Sequence, residues 1–331
     1  MRKLIDVHSH VAPKGYLANL EQYARGSREP EIIRQDGMTI KLYNDGKYRM
    51  PMNESMFSPE TILTQMDQVG VQMNLISGVP DPGVLPFERQ PAACRHLNDC
   101  VAEIVKAHPG RFRGIGVLPW VCPDDAAKEA GRIKELGFVA AMLYSHSGPL
   151  LVDDPRMDPT YQVCQDLALP LFLHPDVPLW YDVINDYNMV SNVGLVMDNS
   201  LALLRLFKSG VFDRFPKLQL IMPHAGGVLP YLDGRLSYTP NAFRRFTPEN
   251  QKPLADYMRN PNIWYDLCNP SVPVLKMARE YLGTDRLMFG ADYPFVDQDV
   301  LLDKLQKIGC SAAELDGIFR GNAERLFGPL L

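Results

Sequence analysis

The chain has 331 residues, 46% of them hydrophobic, enough to bury a large core as one large domain or two smaller ones. Its formal charge of −5 comes from 34 basic and 39 acidic residues without long runs of either sign, which excludes a nucleic-acid footprint and a polybasic membrane patch and favours a small-molecule ligand. The six cysteines show no CxxC spacing and read as reduced, MRKLIDVHSH lacks the apolar stretch of a secretory signal, and no segment reaches the ~18 apolar residues of a membrane span, so cytoplasmic residence is expected.

Along the chain, short apolar runs alternate with helical patterns. Lys3–His8 is the first predicted strand and leads into His8-Ser9-His10. Two residues apart on an extended chain, these imidazoles share a face and can reach one ion. Residues 11 to about 57, rich in Gly, Arg, Tyr and Met and containing Arg49, interrupt the rhythm and are expected to form a small cap. Pro59–Gln68 reads as a helix, Val71–Gly78 as the second strand, Glu88–Ala107 as a helix and Phe112–Leu118 as the third strand. Pro123–Glu135 leads to the fourth strand, Phe138–Tyr144, which runs on into Ser145-His146. Pro159–Asp166 leads to the fifth, Leu169–His174, where Pro175 forces an abrupt exit after the histidine.

A second insertion, residues 176 to about 198, carries Trp180, Tyr181 and Tyr187. After a helix at Ser200–Ser209, the sixth strand Leu218–Pro223 delivers His224 into Ala225-Gly226-Gly227, a segment free to turn tightly. Asn262–Leu267 is the seventh strand and Pro273–Tyr281 a helix. The eighth strand, Arg286–Gly290, delivers Asp292 in GADYPF, with Phe295 just beyond and a helix at Asp299–Gln306.

Strand then helix, repeated along the whole chain with eight strands in all, predicts an α/β fold: a single (β/α)8 TIM barrel over residues 1–331, with the cap inserted after strand one. The rival, an open doubly wound sheet, fits less well. No strand is followed by GxGxxG or GxxxxGK[ST], and the candidate ligands come from strands one, five, six and eight, which a closed barrel gathers at one mouth. Four of only seven histidines stand at the ends of strands one, five and six. Imidazoles and a carboxylate delivered to one point are the ligand set of a divalent metal ion.

The HxH after strand one, His-Pro after strand five, HxGG after strand six and GADYP after strand eight, in this order over essentially the full chain, resemble the amidohydrolase superfamily and, within it, the aminocarboxymuconate-semialdehyde decarboxylase branch. The subtype with a carboxylated lysine is set aside, because Tyr144-Ser145-His146 follows strand four without a lysine. The resemblance implies that His8, His10, His174 and Asp292 bind the metal, with His224 as general base and acid. It implies that Arg49 grips the substrate carboxylate, that Arg235 reaches into a neighbouring subunit's site in a homodimer, and that Trp180, His146 and Phe295 line the pocket. The muconate enzymes carry an aromatic residue two positions after the strand-five histidine, where this chain has Asp176.

The implied activity is metal-dependent decarboxylation of an aromatic or unsaturated carboxylic acid, with Asp292 also managing a proton and zinc, or else manganese, as the ion. Hydrolysis of an amide, lactone or ester by the same activated water is the alternative, and a catalytically silent binding barrel is a third reading.

Overall fold

Eight parallel strands follow one another round a single sheet in chain order: β1 (Leu4–Val11), β2 (Val71–Gly78), β3 (Phe112–Gly116), β4 (Ala140–Tyr144), β5 (Leu171–His174), β6 (Leu220–Met222), β7 (Ile263–Asp266) and β8 (Leu287–Met288). The structure, a computed structural model, describes residues 4–24, 31–35, 38–43, 48–52, 54–238, 252–328 and 331. Pairings such as Ile5 with Met73 and Leu143 with Leu173 hold the neighbours in register.

The ring closes between β8 and β1. Val7 N donates to Phe289 O at 2.9 Å, His10 N to Tyr293 O at 2.8 Å and Tyr293 N to His8 O at 3.2 Å. The fold is therefore the predicted TIM barrel, and all eight predicted strands are present, most of them trimmed by a few residues. The main difference is β1, which continues to Val11 because Ser9, His10 and Val11 keep pairing with Ile76, Ser77 and Gly78. His10 thus stands within the strand instead of beyond its predicted end, and His8 inside it instead of at its last residue.

Helices pack outside the ring, and their ends follow local chemistry. Pro59–Val69 starts where the Ser58 side chain accepts from Thr61 N, and it stops at Gly70, whose φ of 86° suits glycine. Between sheet and helices lie fully buried Trp120, Phe138 and Phe289, whereas Phe172, also fully buried, packs its ring 4.8 Å from that of His8. Gly290 lies where strands approach closely: a Cβ there would stand 2.7 Å from Asp266 Cβ and 3.1 Å from His8 Cβ, so glycine lets β1, β7 and the end of β8 close up.

The two insertions carry structure the sequence reading did not resolve. The first contains a three-stranded antiparallel sheet, Glu31–Gln35, Met38–Tyr43 and Tyr48–Met52. Asp36-Gly37 and Asn44-Asp45-Gly46 between these runs are hairpin signals that a search for barrel strands passes over. The second insertion holds a one-turn helix, Tyr181–Val183, and joins a helix Leu195–Lys208 that begins five residues earlier than predicted. No described helix is long and apolar enough to cross a membrane.

The closing seam is held by a carboxylate as well as by main chain. Asp6, fully buried, accepts from His8 N at 3.0 Å, Ala291 N at 3.0 Å and Gln298 Nε2 at 2.6 Å. Burial lifts its pKa to about 6, against the downward pull of these hydrogen bonds. Replacing it by Ala leaves three buried donors unpaired, so Asp6→Ala is expected to lower the unfolding free energy by on the order of 3 kcal/mol. Urea denaturation of the metal-free protein measures this, and an unchanged midpoint would show that main-chain bonds alone hold the seam.

Candidate metal centre

The four ligand candidates arrive from three strands at the C-terminal mouth. His8 and His10 project from β1, His174 is the last residue of β5, and Asp292 follows β8 by four residues. One ligand atom from each of the four lies within 4.8 Å of every other. The ring centroids of His8 and His10 are 5.1 Å apart, those of His10 and His174 5.1 Å, and those of His8 and His174 5.5 Å, all edge-on. Asp292 Oδ1 stands 2.8 Å from His10 Nε2 and 3.2 Å from His8 Nε2.

The second nitrogen of each imidazole is fixed from behind. His8 Nδ1 meets Asp266 Oδ2 at 2.8 Å, His10 Nδ1 meets Ser77 Oγ at 2.8 Å and His174 Nδ1 meets Pro175 O at 2.9 Å. A carboxylate or carbonyl behind Nδ1 makes that nitrogen the donor and turns the Nε2 lone pair inward, which is how metal-binding histidines are oriented. His8 Nε2 is buried with no hydrogen-bond partner, a cost that an ion removes. Asp266 also accepts from His224 N at 2.8 Å and Cys268 N at 3.0 Å, so one carboxylate orients His8 and anchors the turn after β6. The sequence reading missed Asp266, although a lone acid closing the apolar strand IWYD was a visible signal.

The electrostatics suit a cation. Burial, together with the neighbouring imidazoles, holds His174 well below the ordinary histidine range, and burial lowers His10 as well, so both offer lone pairs at neutral pH. Burial also opposes charge on His8, but Asp292 and Asp266 outweigh it and lift His8 to about 9. Asp292 is pushed up by burial and pulled down further by His8, His10 and His224, and it stays well below the usual carboxylate range. The residues fit a divalent ion: three imidazoles and an ionised carboxylate with room for further ligands.

His224 stands across from the ligands, Nε2 3.7 Å from Asp292 Oδ2. His224, Ala225 and Asp292 adopt φ values of 59°, 57° and 61°, a left-handed conformation costing roughly 1–2 kcal/mol each outside glycine. That strain turns both side chains back over the barrel mouth. Phe295, 43% exposed, lies 5.8 Å from His10, ring to ring. Trp180 is half-buried at the head of the Tyr181–Val183 turn. His146 directs Nδ1 at Gly148 O (3.1 Å) and Nε2 at Val177 O (3.0 Å). Asp176 receives no aromatic role: its N donates to Ser145 Oγ and its Oδ1 accepts from Val177 N. Arg235 is exposed in the last turn of the helix Leu229–Ser237. Arg49 pairs with Leu42 in the cap sheet, and its side chain lies outside the described residues.

A closed parallel barrel with these groups at the C-terminal ends of its strands is the architecture of a metal-dependent enzyme. Residues 5–328 match the family model described as amidohydrolase, and the chain belongs to that family. It is 33% identical over 279 residues to a gamma-resorcylate decarboxylase of Polaromonas sp., covering 79% of this chain and 85% of that one. It is 28% identical over 294 residues to a 2-amino-3-carboxymuconate-6-semialdehyde decarboxylase of Dictyostelium discoideum, covering 88% and 81%. Among solved structures, a dihydroxybenzoic acid decarboxylase from Polaromonas sp. with bound manganese and the inhibitor 2-nitroresorcinol is similar with a TM-score of 0.81 and 28% identity, covering 99% of this chain and 97% of that one.

Asp266→Asn removes the charge behind His8 and is expected to weaken metal binding by roughly 10–100-fold in chelator competition. An unaltered affinity would make Asp266 purely structural. The pH dependence follows from His8. Its charged form stabilises the metal-free fold fully below its ordinary value of 6.5, and that contribution is lost as pH rises through about 9. Because an ion must displace this proton, apparent metal affinity is expected to rise roughly tenfold per pH unit below that value. A flat profile in the same competition assay would contradict the raised His8.

Proposed function

We propose that the protein is a non-oxidative decarboxylase of aromatic or unsaturated carboxylic acids, using one divalent ion held by His8, His10, His174 and Asp292. The observation that carries this reading is the convergence of those four side chains within 4.8 Å, on a chain whose named relatives are decarboxylases. Those relatives break carbon–carbon bonds, which favours decarboxylation over the hydrolysis that the same ligands could support.

A bound ion supplies positive charge to the substrate's oxygen atoms, fixing their position and drawing electron density from the ring or unsaturated chain. The rest falls to side chains. His224, 3.7 Å from Asp292 Oδ2, carries the proton to the carbon bearing the carboxylate, and the Asp292 charge stabilises the imidazolium before transfer. Once that carbon is protonated, its bond to the carboxylate breaks, the electron pair returns to the unsaturated system and carbon dioxide leaves. One proton is consumed and no water.

Arg49 is assigned the departing carboxylate, since a guanidinium fork pairs both of its oxygens. Trp180 and Phe295 are assigned the walls that receive the planar part of the substrate. His146 has both nitrogens committed to main-chain carbonyls, and its part is to hold residue 177 beside the mouth. Arg235, exposed on its helix, is assigned to the partner's site in a homodimer. Zinc is the proposed resident ion, because imidazole suits it, and manganese is its competitor, because the related Polaromonas structure carries it.

The test is an assay of the metal-loaded protein against dihydroxybenzoic, methoxyhydroxybenzoic and muconate-type acids, following carbon dioxide. Release with at least one of them is expected, and water-dependent cleavage of amide, lactone or ester substrates alone would replace this reading with hydrolysis. His224→Ala is expected to lower kcat by at least ~10²-fold while metal content stays near one ion per chain. Loss of the ion instead would make His224 a ligand.

A further inference from the structure

Cys268, two residues past β7, is buried, donates its thiol to Ala291 O at 3.1 Å, and has no part in the reaction above. Its sulfur, a ring nitrogen of His224 and a carboxylate oxygen of Asp292 all lie within 4.8 Å of one another. Zinc bonds of about 2.3 Å to sulfur and about 2.0–2.1 Å to nitrogen place neighbouring donors roughly 3.5 Å apart, so shifts of about an ångström bring these three onto one ion.

Two more observations bear on this site. His224 is not tied through its other ring nitrogen: Nδ1 is buried without a hydrogen-bond partner, while Nε2 faces Asp292 Oδ2 at 3.7 Å. Asp292 splits its oxygens between two groups, Oδ1 facing His8 and His10 and Oδ2 facing His224. A carboxylate so placed can bridge two ions, whose usual separation in such centres is about 3.5–4 Å.

We propose that His224, Cys268 and Asp292 form a second metal site, selective for thiophilic divalent ions such as zinc and cadmium, whose occupation switches the centre off. The inference rests on the first site being as read above. Selectivity follows from the donors: a thiolate and an imidazole favour zinc and its softer relatives, whereas manganese prefers oxygen. On binding, Cys268 releases its thiol proton to solvent and its sulfur lone pair goes to the ion, and His224 gives up the lone pair it needs to carry a proton. Zinc at one equivalent therefore supports the reaction, zinc in excess arrests it, and manganese in excess does not.

The test titrates the metal-free full-length protein with zinc, manganese and cobalt(II), counting bound ions by equilibrium dialysis with elemental analysis and recording the cobalt spectrum. Two equivalents of zinc and one of manganese are expected. The second equivalent of cobalt should bring a thiolate-to-cobalt charge-transfer absorption that Cys268→Ser and Cys268→Ala lack while they retain the first equivalent. The second zinc should lower the rate on the order of 10²-fold, the loss that goes with disabling a general acid. A single zinc with no thiolate absorption in the unsubstituted protein overturns the second site and leaves the first standing. Stoichiometric binding of no ion overturns both, and a second zinc that survives Cys268→Ser places that ion elsewhere and overturns the assignment.

Discussion

The seam between the last strand and the first is the constraint on which the rest depends. A parallel barrel has no free edge only if β8 finds β1, and here His8 and His10 lie on one side of that junction and Asp292 on the other. Closing the sheet and assembling the metal centre are therefore one event. Asp6 makes the junction specific: it takes the amide of His8 from one strand and that of Ala291 from the other, and Gln298 completes its set. Gly290 leaves out a side chain that would meet Asp266 and His8 across the seam.

Three acids, Asp6 and Asp266 buried and Asp292 half-buried, stand among the imidazoles, and each does different work. Asp6 serves backbone amides and is pushed by burial toward its neutral form. Asp266 faces the back of His8 and the amide that begins the next turn, so it transmits the position of β7 to both β1 and β6. Asp292 faces the open side, where the histidines keep it ionised. Charge is thus concentrated where a cation is to be received, in a medium where an unbalanced charge is costly. An ion relieves what the protein alone leaves unsettled, including the unpartnered Nε2 of His8.

The reacting groups also sit on strained backbone. His224 and Asp292 take a left-handed conformation that glycine would adopt freely, yet glycine could not carry the chemistry. Hydrogen bonds absorb that cost: the His224 amide goes to Asp266, and Asp292 O accepts from Phe295 N.

The sequence by itself determined the alternation of elements, the eight strands and the order of the histidines, because buried parallel strands must be short apolar runs and a histidine or aspartate closing such a run is conspicuous. Motif spacing over the whole chain was enough to indicate the family. It could not say that β1 runs three residues past His8, since pairing with Ser77 and Gly78 is a property of the neighbouring strand. Nor could it show Asp266 behind His8, 258 residues away, or Cys268 beside His224 and Asp292. Nor could it show that His146 directs its ring nitrogens at Gly148 O and Val177 O, or that Asp176 N donates to Ser145 Oγ. Only tertiary structure decides such partnerships, because a hydrogen bond or a shared ligand space depends on distances of about 3 Å between groups that periodicity leaves unrelated.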